Sequence, residues 1–435
     1  MRSRLSLLPF TAKVNNRSHL VIGGCDTVEL AAEFGTPLYV FDEFTLRHRC
    51  AELKAEFTQR YANSLVIYAC KAFINKALAI IFKEEGLGLD VVSAGELSIA
   101  RSVDFPLDSV YFHGNDKSAE ELKLALEWGI GRIVVDNLHE LKMLDEIAKA
   151  KGTRPDILLR ISPGVDPHTH RYTITGSIDS KFGFPMVQGE EAVAQALAAS
   201  HLNLVGLHFH IGSGIFEVEP YQQAIDIILG FAAKVKQKNG FEMRELNVGG
   251  GFAIQYVLAS PAPPIATYAQ AIVSRLTSQC QKLGLALPRL VVEPGRSIVG
   301  QAGVALYRAG VVKDIPGVRC YVSVDGGMAD NVRPALYGAK YEAVVANRMA
   351  GNKAKKVTIA GKFCESGDIL ITDIALPPIA AGDIIAVADC GAYCLPLGSN
   401  YNASLKPAIV LVKEGKARLI RRRETLDDLI RCDLV

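Results

Sequence analysis

A lysine, a glutamate, an arginine and a run of glycines each stand just past a short apolar run of this chain. Lys71 follows Tyr68-Ala69-Cys70, Gly249-Gly250-Gly251 follows Leu246–Val248, and Glu293-Pro294-Gly295-Arg296 follows Leu290–Val292. A desolvated lysine amine can attack an aldehyde. Three successive glycines bare backbone N–H groups that can cradle a phosphate, to which Arg296 can add charge. Glu293 can keep a ring nitrogen protonated and so make the ring an electron sink. Each also has a plainer reading: a lysine facing water, a tight turn, a glutamate paired with Arg296. His208 and His210 alternate on one run and so share a face. His-x-His can bind a metal, cover a flat ring or sit satisfied in a core. No third ligand has convincing spacing, so no metal site is expected.

The elements that must position these residues repeat. Eight short apolar runs recur, Leu65–Tyr68, Leu87–Val92, Ser109–Phe112, Arg132–Val135, Ile157–Ile161, Leu204–Phe209, Leu246–Val248 and Leu290–Val292. Helical spacing fills the gaps, clearest in Asn75–Glu85, Ser118–Trp128 and Leu138–Ala150. Ser118 with Glu121 is a capping-box signal for a helix start. Strands alternating with helices imply a parallel sheet, and eight units over about 250 residues fit a closed (β/α)8 barrel, with a doubly wound open sheet as the alternative. In such a barrel chemistry lies at the C-terminal strand ends. Those ends read Lys71, Ser93-Ala94-Gly95-Glu96, His113-Gly114-Asn115, Asp136, Ser162-Pro163, His210, the glycine triplet and Glu293 to Arg296. The loop between Pro163 and Lys181 is expected to cover the mouth.

Beyond about residue 300 the pattern becomes strands such as Val304–Val312, Arg319–Val324, Lys356–Ala360 and Ile384–Ala388, without intervening helices. Ala408–Val412 and Ala417–Arg421 flank Lys413-Glu414-Gly415-Lys416, a hairpin signal. Strand-like Leu20–Ile22 and Leu38–Phe41 precede a helix near Phe44–Tyr61. The expected organisation is a barrel over 44–300 and a discontinuous β-domain, a sandwich or barrel, from 1–43 and 301–435.

The 435 residues balance 48 Lys and Arg against 46 Asp and Glu, a net charge of +2, so no nucleic-acid partner is expected. The basic run Arg421-Arg422-Arg423 reads as a solvated strand edge. Hydrophobic residues at 49% and charged residues at 22% exclude a largely disordered chain. The uncharged stretch Val248 to Ser274 holds the glycine triplet and Pro261, Pro263 and Pro264, a poor membrane helix. The apolar run Leu5 to Phe10, broken by Ser6 and Pro9, is too short for a signal peptide. Nine cysteines form no CxxC pair, which suits a reducing compartment; a cytoplasmic location is expected.

Together, Tyr68-Ala69-Cys70-Lys71, His210-Ile211-Gly212-Ser213, Gly249-Gly250-Gly251-Phe252 and Glu293-Pro294-Gly295-Arg296 resemble the fold-type III pyridoxal-phosphate decarboxylases, with matching order and spacing over nearly the whole chain. Asp325 to Asp330, Arg333-Pro334-Ala335-Leu336-Tyr337-Gly338, Cys364-Glu365-Ser366-Gly367-Asp368, Gly391-Ala392-Tyr393 and Asn400-Tyr401-Asn402 are similar to the branch acting on a diamino acid with a carboxylate at both ends. The resemblance implies an alanine-racemase-like barrel and pyridoxal 5'-phosphate as cofactor. It implies that Lys71 binds the cofactor covalently, His210 stacks on its ring and Glu293 faces its pyridine nitrogen. Ser213, Gly250, Gly251, Gly295, Arg296 and Tyr393 would surround the phosphate. Arg296, Arg333, Tyr337 and Tyr393 would receive the substrate's far end, with Glu365 on its far amine. Cys364, the candidate proton donor, and Glu365 would come from a neighbouring subunit, making a homodimer with shared active sites. Ala94, Ser162, Gly214, Cys390 and Leu395-Pro396-Leu397 depart from the family pattern without removing a catalytic group. Rival readings are a decarboxylase of ornithine, arginine or a carboxylated polyamine, a racemase, and a non-catalytic relative.

Overall fold

The computed structural model describes residues 4–166, 180–350 and 354–434. The expected mouth-covering loop therefore lies mostly outside the described residues. The chain forms two compact units: Cys50–Ala253 with Ala262–Gly295, and Met1–Arg49 with Ile254–Pro261 and Arg296–Val435.

In the first unit eight parallel strands close on themselves: Ser64–Ala69, Gly88–Val91, Val110–Phe112, Arg132–Val135, Asp156–Ser162, Asn203–His208, Glu245–Asn247 and Arg289–Val292. Closure comes from Arg289–Val292 pairing with Ser64–Ala69 (Leu290 beside Ser64). The open-sheet alternative is thereby excluded. A short strand, Phe184–Pro185, adds beside Asp156–Ser162. Ile67, Tyr111, Val134, Leu158, Val205 and Val291 pack as one buried cluster, each from a different strand. At the strand starts, Arg132 pairs with Asp156 at 3.0 Å and approaches Glu245 at 3.4 Å, and the Tyr111 hydroxyl donates to Glu245 at 2.8 Å.

Side-chain caps start the helices that follow the strands. Asn75, Ser93, Ser118 and Asn137 each accept a backbone N–H of the first turn, and Ser118 with Glu121 forms the full capping box. Such a cap contributes about 1 kcal/mol. It also satisfies backbone donors at the strand-to-helix turns, the side of the barrel where the chemistry must lie.

The second unit is a mixed sheet. Gly303–Ile315 is its hub: its first half lies between Leu38–Asp42 and Ile384–Val387, and its second half pairs with Arg319–Val324. The register shifts between Ala309 and Val312, where the strand changes neighbours. Leu38–Asp42 also pairs in parallel with Ala408–Lys413, so an N-terminal strand sits between C-terminal ones. Leu7, Leu8, Leu20, Ile22, Val40, Val304 and Val410 share its core. Leu7 and Leu8, part of the N-terminal apolar run, are core residues.

Three details differ from the sequence reading. A short helix, Arg333–Tyr337, interrupts the strands of this unit, and another, Leu426–Ile430, follows the last of them. The eight-residue strand Ile369–Leu376, unremarked in the sequence, forms its edge. The basic run is not uniformly solvated. Arg422 pairs with Asp428 at 2.8 Å, but Arg423 is half-buried and donates to the Pro37 carbonyl at 2.7 Å, its pKa lowered by burial. Among the described residues no helix is long and apolar enough to cross a membrane.

Candidate active site

The C-terminal mouth of the barrel gathers several buried titratable residues around Glu293, which follows the last strand and is 3% exposed. Asn247, ending the seventh strand, donates its side-chain N–H to Glu293 Oε1 at 2.7 Å. His113 Nε2 lies 2.9 Å from the same oxygen, and His208 Nε2 3.4 Å from Oε2. The two imidazoles meet edge to face, with centroids 4.8 Å apart. Burial works against the carboxylate, yet His113, His208 and Asn247 surround it with positive or donor groups, and its pKa falls well below the ordinary range. Burial pushes His208 down to about 3, so it is neutral. The result is a fixed anion in a dry setting. His113, His208 and Glu293 are also metal-ligand types lying together, a grouping invisible in their sequence spacing.

Lys71 emerges from the first strand within a turn of 3-10 helix, Cys70–Ala72, and donates to Asp90 at 3.4 Å. Asp90 comes from the middle of the second strand and is buried. Nearby, burial raises Glu96 to about 7 despite the opposing charge of Lys71.

The glycine run is a lattice of backbone contacts. Gly249 N donates to Asn247 Oδ1 at 2.9 Å, Glu293 N donates to Gly249 O at 2.9 Å, and Tyr221 donates to Gly250 O at 2.8 Å. A Cβ on Gly250 would stand 1.9 Å from Glu293 O, and one on Gly249, at φ +70°, 2.6 Å from His210 Nδ1. Only glycines let the seventh and eighth strand ends and His210 come this close. Gly250 N donates to His210 Nδ1 at 3.2 Å, so that nitrogen carries no proton. Burial, with Lys71 and Arg160 nearby, lowers the His210 pKa well below its usual value.

The arginines lie in the second unit. Arg296 donates to the Tyr256 hydroxyl at 2.7 Å and stacks over Tyr393 at 4.7 Å. Tyr393 holds φ +61°, a conformation that costs a non-glycine residue energy and marks a constrained position. Arg333 donates to Tyr256 at 3.0 Å and to Tyr341. Tyr337 closes the short helix that Arg333 opens. Cys364 and Glu365 lie on an exposed loop of the same unit, where Asn402 accepts from the Cys364 backbone N–H at 3.0 Å.

The barrel region matches the model of the pyridoxal-dependent decarboxylase pyridoxal-binding domain over residues 45–300. A diaminopimelate decarboxylase of Bacillus subtilis is 46% identical over 98% of this chain and 97% of its own. The chain belongs to the diaminopimelate decarboxylases. The structure of the diaminopimelate decarboxylase from M. jannaschii in complex with L-lysine superposes with a TM-score of 0.92 at 35% identity, covering 98% of both chains. That of the Helicobacter pylori enzyme, also with L-lysine, gives 0.86 at 32% identity over 93% of this chain and 98% of that one.

Family membership makes pyridoxal 5'-phosphate the cofactor, and the barrel mouth fits it. Glu293 is a buried anion, which suits a protonated ring nitrogen. The glycine cradle leaves no room for side chains. Asp90 Oδ1 and His208 Nδ1 are buried without hydrogen-bond partners among the described residues. Sequence reading missed Asp90, Asn247, Tyr256 and Tyr341. A charged residue inside the apolar run Leu87–Val92 was the available signal for Asp90. Tyr256 and Tyr341 had none, because their importance comes from which arginines the fold brings to them.

Proposed function

We propose that the protein decarboxylates meso-2,6-diaminopimelate to L-lysine and CO2, with Lys71, His210, Glu293 and Cys364 as its catalytic residues. Bound pyridoxal 5'-phosphate supplies the electron sink for the carbanion left when CO2 departs. Lys71 would anchor the cofactor, the His210 ring would cover it, and Ser213, Gly250, Gly251, Gly295, Arg296 and Tyr393 would hold its phosphate end. Ionised Glu293 keeps the ring nitrogen protonated; a neutral or cationic group there would weaken the sink. Cys364 returns a proton to the reacting carbon.

The substrate assignment rests on Arg333. It is 6% exposed, its Nε is buried without a hydrogen-bond partner, and its Nη1 donates to the hydroxyls of Tyr256 and Tyr341. A buried cation held only by phenols calls for an anionic ligand. A substrate with a second carboxylate supplies one; ornithine does not. Leaving a buried charge unpaired costs roughly 3–5 kcal/mol. Arg333 with Arg296, Tyr337 and Tyr393 receives the far carboxylate and Glu365 the far amine, so remote binding energy orients the bond that breaks. The L-lysine complexes of the relatives support this reading, since L-lysine is the product that retains that end.

Exposed Cys364 and Glu365 act in the site of a second copy, so the working form is a homodimer. All nine thiols are free, seven of them buried, which supports a cytoplasmic location. The test is CO2 release from meso-diaminopimelate, ornithine, arginine and carboxynorspermidine, in the parent and in Arg333→Ala. Release should be confined to diaminopimelate and drop at least a hundredfold in the variant. Equal kcat/KM for the two proteins would remove Arg333 from the site.

A further inference from the structure

Arg333 and Arg296 share one acceptor, Tyr256, which the sequence reading did not single out. The Tyr256 hydroxyl accepts Nη1 of Arg296 at 2.7 Å and Nη1 of Arg333 at 3.0 Å. Both guanidinium groups also lie over its ring, 5.7 and 4.8 Å from the centroid. Tyr341 meets the Tyr256 ring edge-on at 5.4 Å and accepts from the same Arg333 nitrogen, while Cys394 Sγ lies 3.5 Å from the Tyr341 hydroxyl. Asp389, whose field reaches Arg333, has its own pKa raised well above the ordinary range by burial.

A phenol oxygen can accept two donors, and it is neutral. A carboxylate in its place would fix both guanidinium groups and cancel their charge. Tyr256 fixes them and leaves the charge available, with its ring face adding cation–π attraction. Arg333 Nη1 is committed to the two phenols, whereas its Nε has no partner.

We propose that Tyr256, backed by Tyr341, is a specificity-determining positioning residue that presents Arg296 and Arg333 as a paired clamp for the far carboxylate of a diamino dicarboxylic acid. This rests on the assignment of Arg333 above.

The holoenzyme of Tyr256→Phe tests it, with meso-diaminopimelate as substrate and L-lysine and cadaverine as competing ligands. L-lysine keeps the far carboxylate; cadaverine has no carboxylate. Removing one hydrogen bond to a charged group is expected to weaken binding about tenfold or more. KM for diaminopimelate and Ki for L-lysine should rise by that factor, with the loss carried by KM rather than kcat and Ki for cadaverine moving less than twofold. A merely structural role would weaken both ligands alike, and that result, or an unchanged Ki for L-lysine, would overturn the proposal. Arg333→Ala separates the two levels. If it spares L-lysine binding, the Arg333 assignment itself fails; if it abolishes binding while Tyr256→Phe does not, only the Tyr256 inference fails. Should Tyr256→Phe not fold, Tyr341→Phe carries the same expectation through the second phenol on Arg333.

Discussion

Asn247→Leu should move the acid limb of activity upward. Asn247 is fully buried, and its side-chain N–H on Glu293 at 2.7 Å is a charge-assisted bond. Such a bond is worth about 1.5–3 kcal/mol, which at 1.36 kcal/mol per unit corresponds to about 1–2 pKa units. Burial opposes the Glu293 charge and its surrounding donors lower the pKa, so losing a donor must raise it. A carboxyl whose folded pKa is depressed contributes stability above its unfolded pKa, near 4.3, and loses it as pH falls through the folded value. The variant should therefore lose stability at pH 7 by about the energy of that bond. The acid limb of its kcat/KM profile, a property of the coupled Glu293–His113–His208 group, should rise by about 1–2 pH units. Asn247 Oδ1 also accepts from Gly249 N at 2.9 Å, so Leu disturbs the glycine cradle as well. Asn247→Asp keeps that acceptor and puts a second carboxylate beside Glu293, so the acid limb should move up at least as far. Urea melts at pH 5 to 8 and pH–rate profiles read both effects. Unchanged limbs in both variants would show that the histidines alone hold the Glu293 charge, and would refute the reasoning.

Lys71→Ala should lose the visible absorbance of bound cofactor together with turnover; an unchanged spectrum would assign the anchor to another lysine. Gly250→Ala places a Cβ 1.9 Å from the Glu293 carbonyl, and should lower stability by about 1–3 kcal/mol and weaken cofactor retention, measured by thermal melt and absorbance after dialysis. Mixing inactive Lys71→Ala with inactive Cys364→Ala should restore partial activity through mixed dimers. No recovery after joint refolding would place Cys364 in the site of its own chain.

The barrel was legible because its signals are local. Each apolar run matches a strand within a residue or two, since a strand buried on both faces must be apolar along its length. The capping box at Ser118 is written in adjacent letters and appears as read. Ile369–Leu376 escaped notice for the opposite reason: it is an edge strand, and its mixed burial leaves neither a continuous apolar run nor clean alternation. Arg423 likewise looked like part of a solvated triplet until the fold brought the Pro37 carbonyl to it across the chain.

For the active site, the line between legible and hidden follows the kind of interaction. Lys71, the glycine triplet and Glu293 stand at strand ends, so topology alone marks them. What makes Glu293 an anion is Asn247 and two histidines from three other strands, and what would make Arg333 a receptor is a pair of phenols, Tyr341 eight residues on and Tyr256 far back in the chain. Both clusters solve one problem in opposite ways. Glu293 is surrounded by donors so that a buried negative charge survives. Arg333 is given neutral acceptors so that a buried positive charge survives unspent. Replacing Tyr256 by an acid would stabilise Arg333 better and, by the same electrostatics, leave nothing to attract a second carboxylate. The weaker partner is therefore the one that leaves room for selectivity, and a net charge of +2 over the whole chain carries no trace of it.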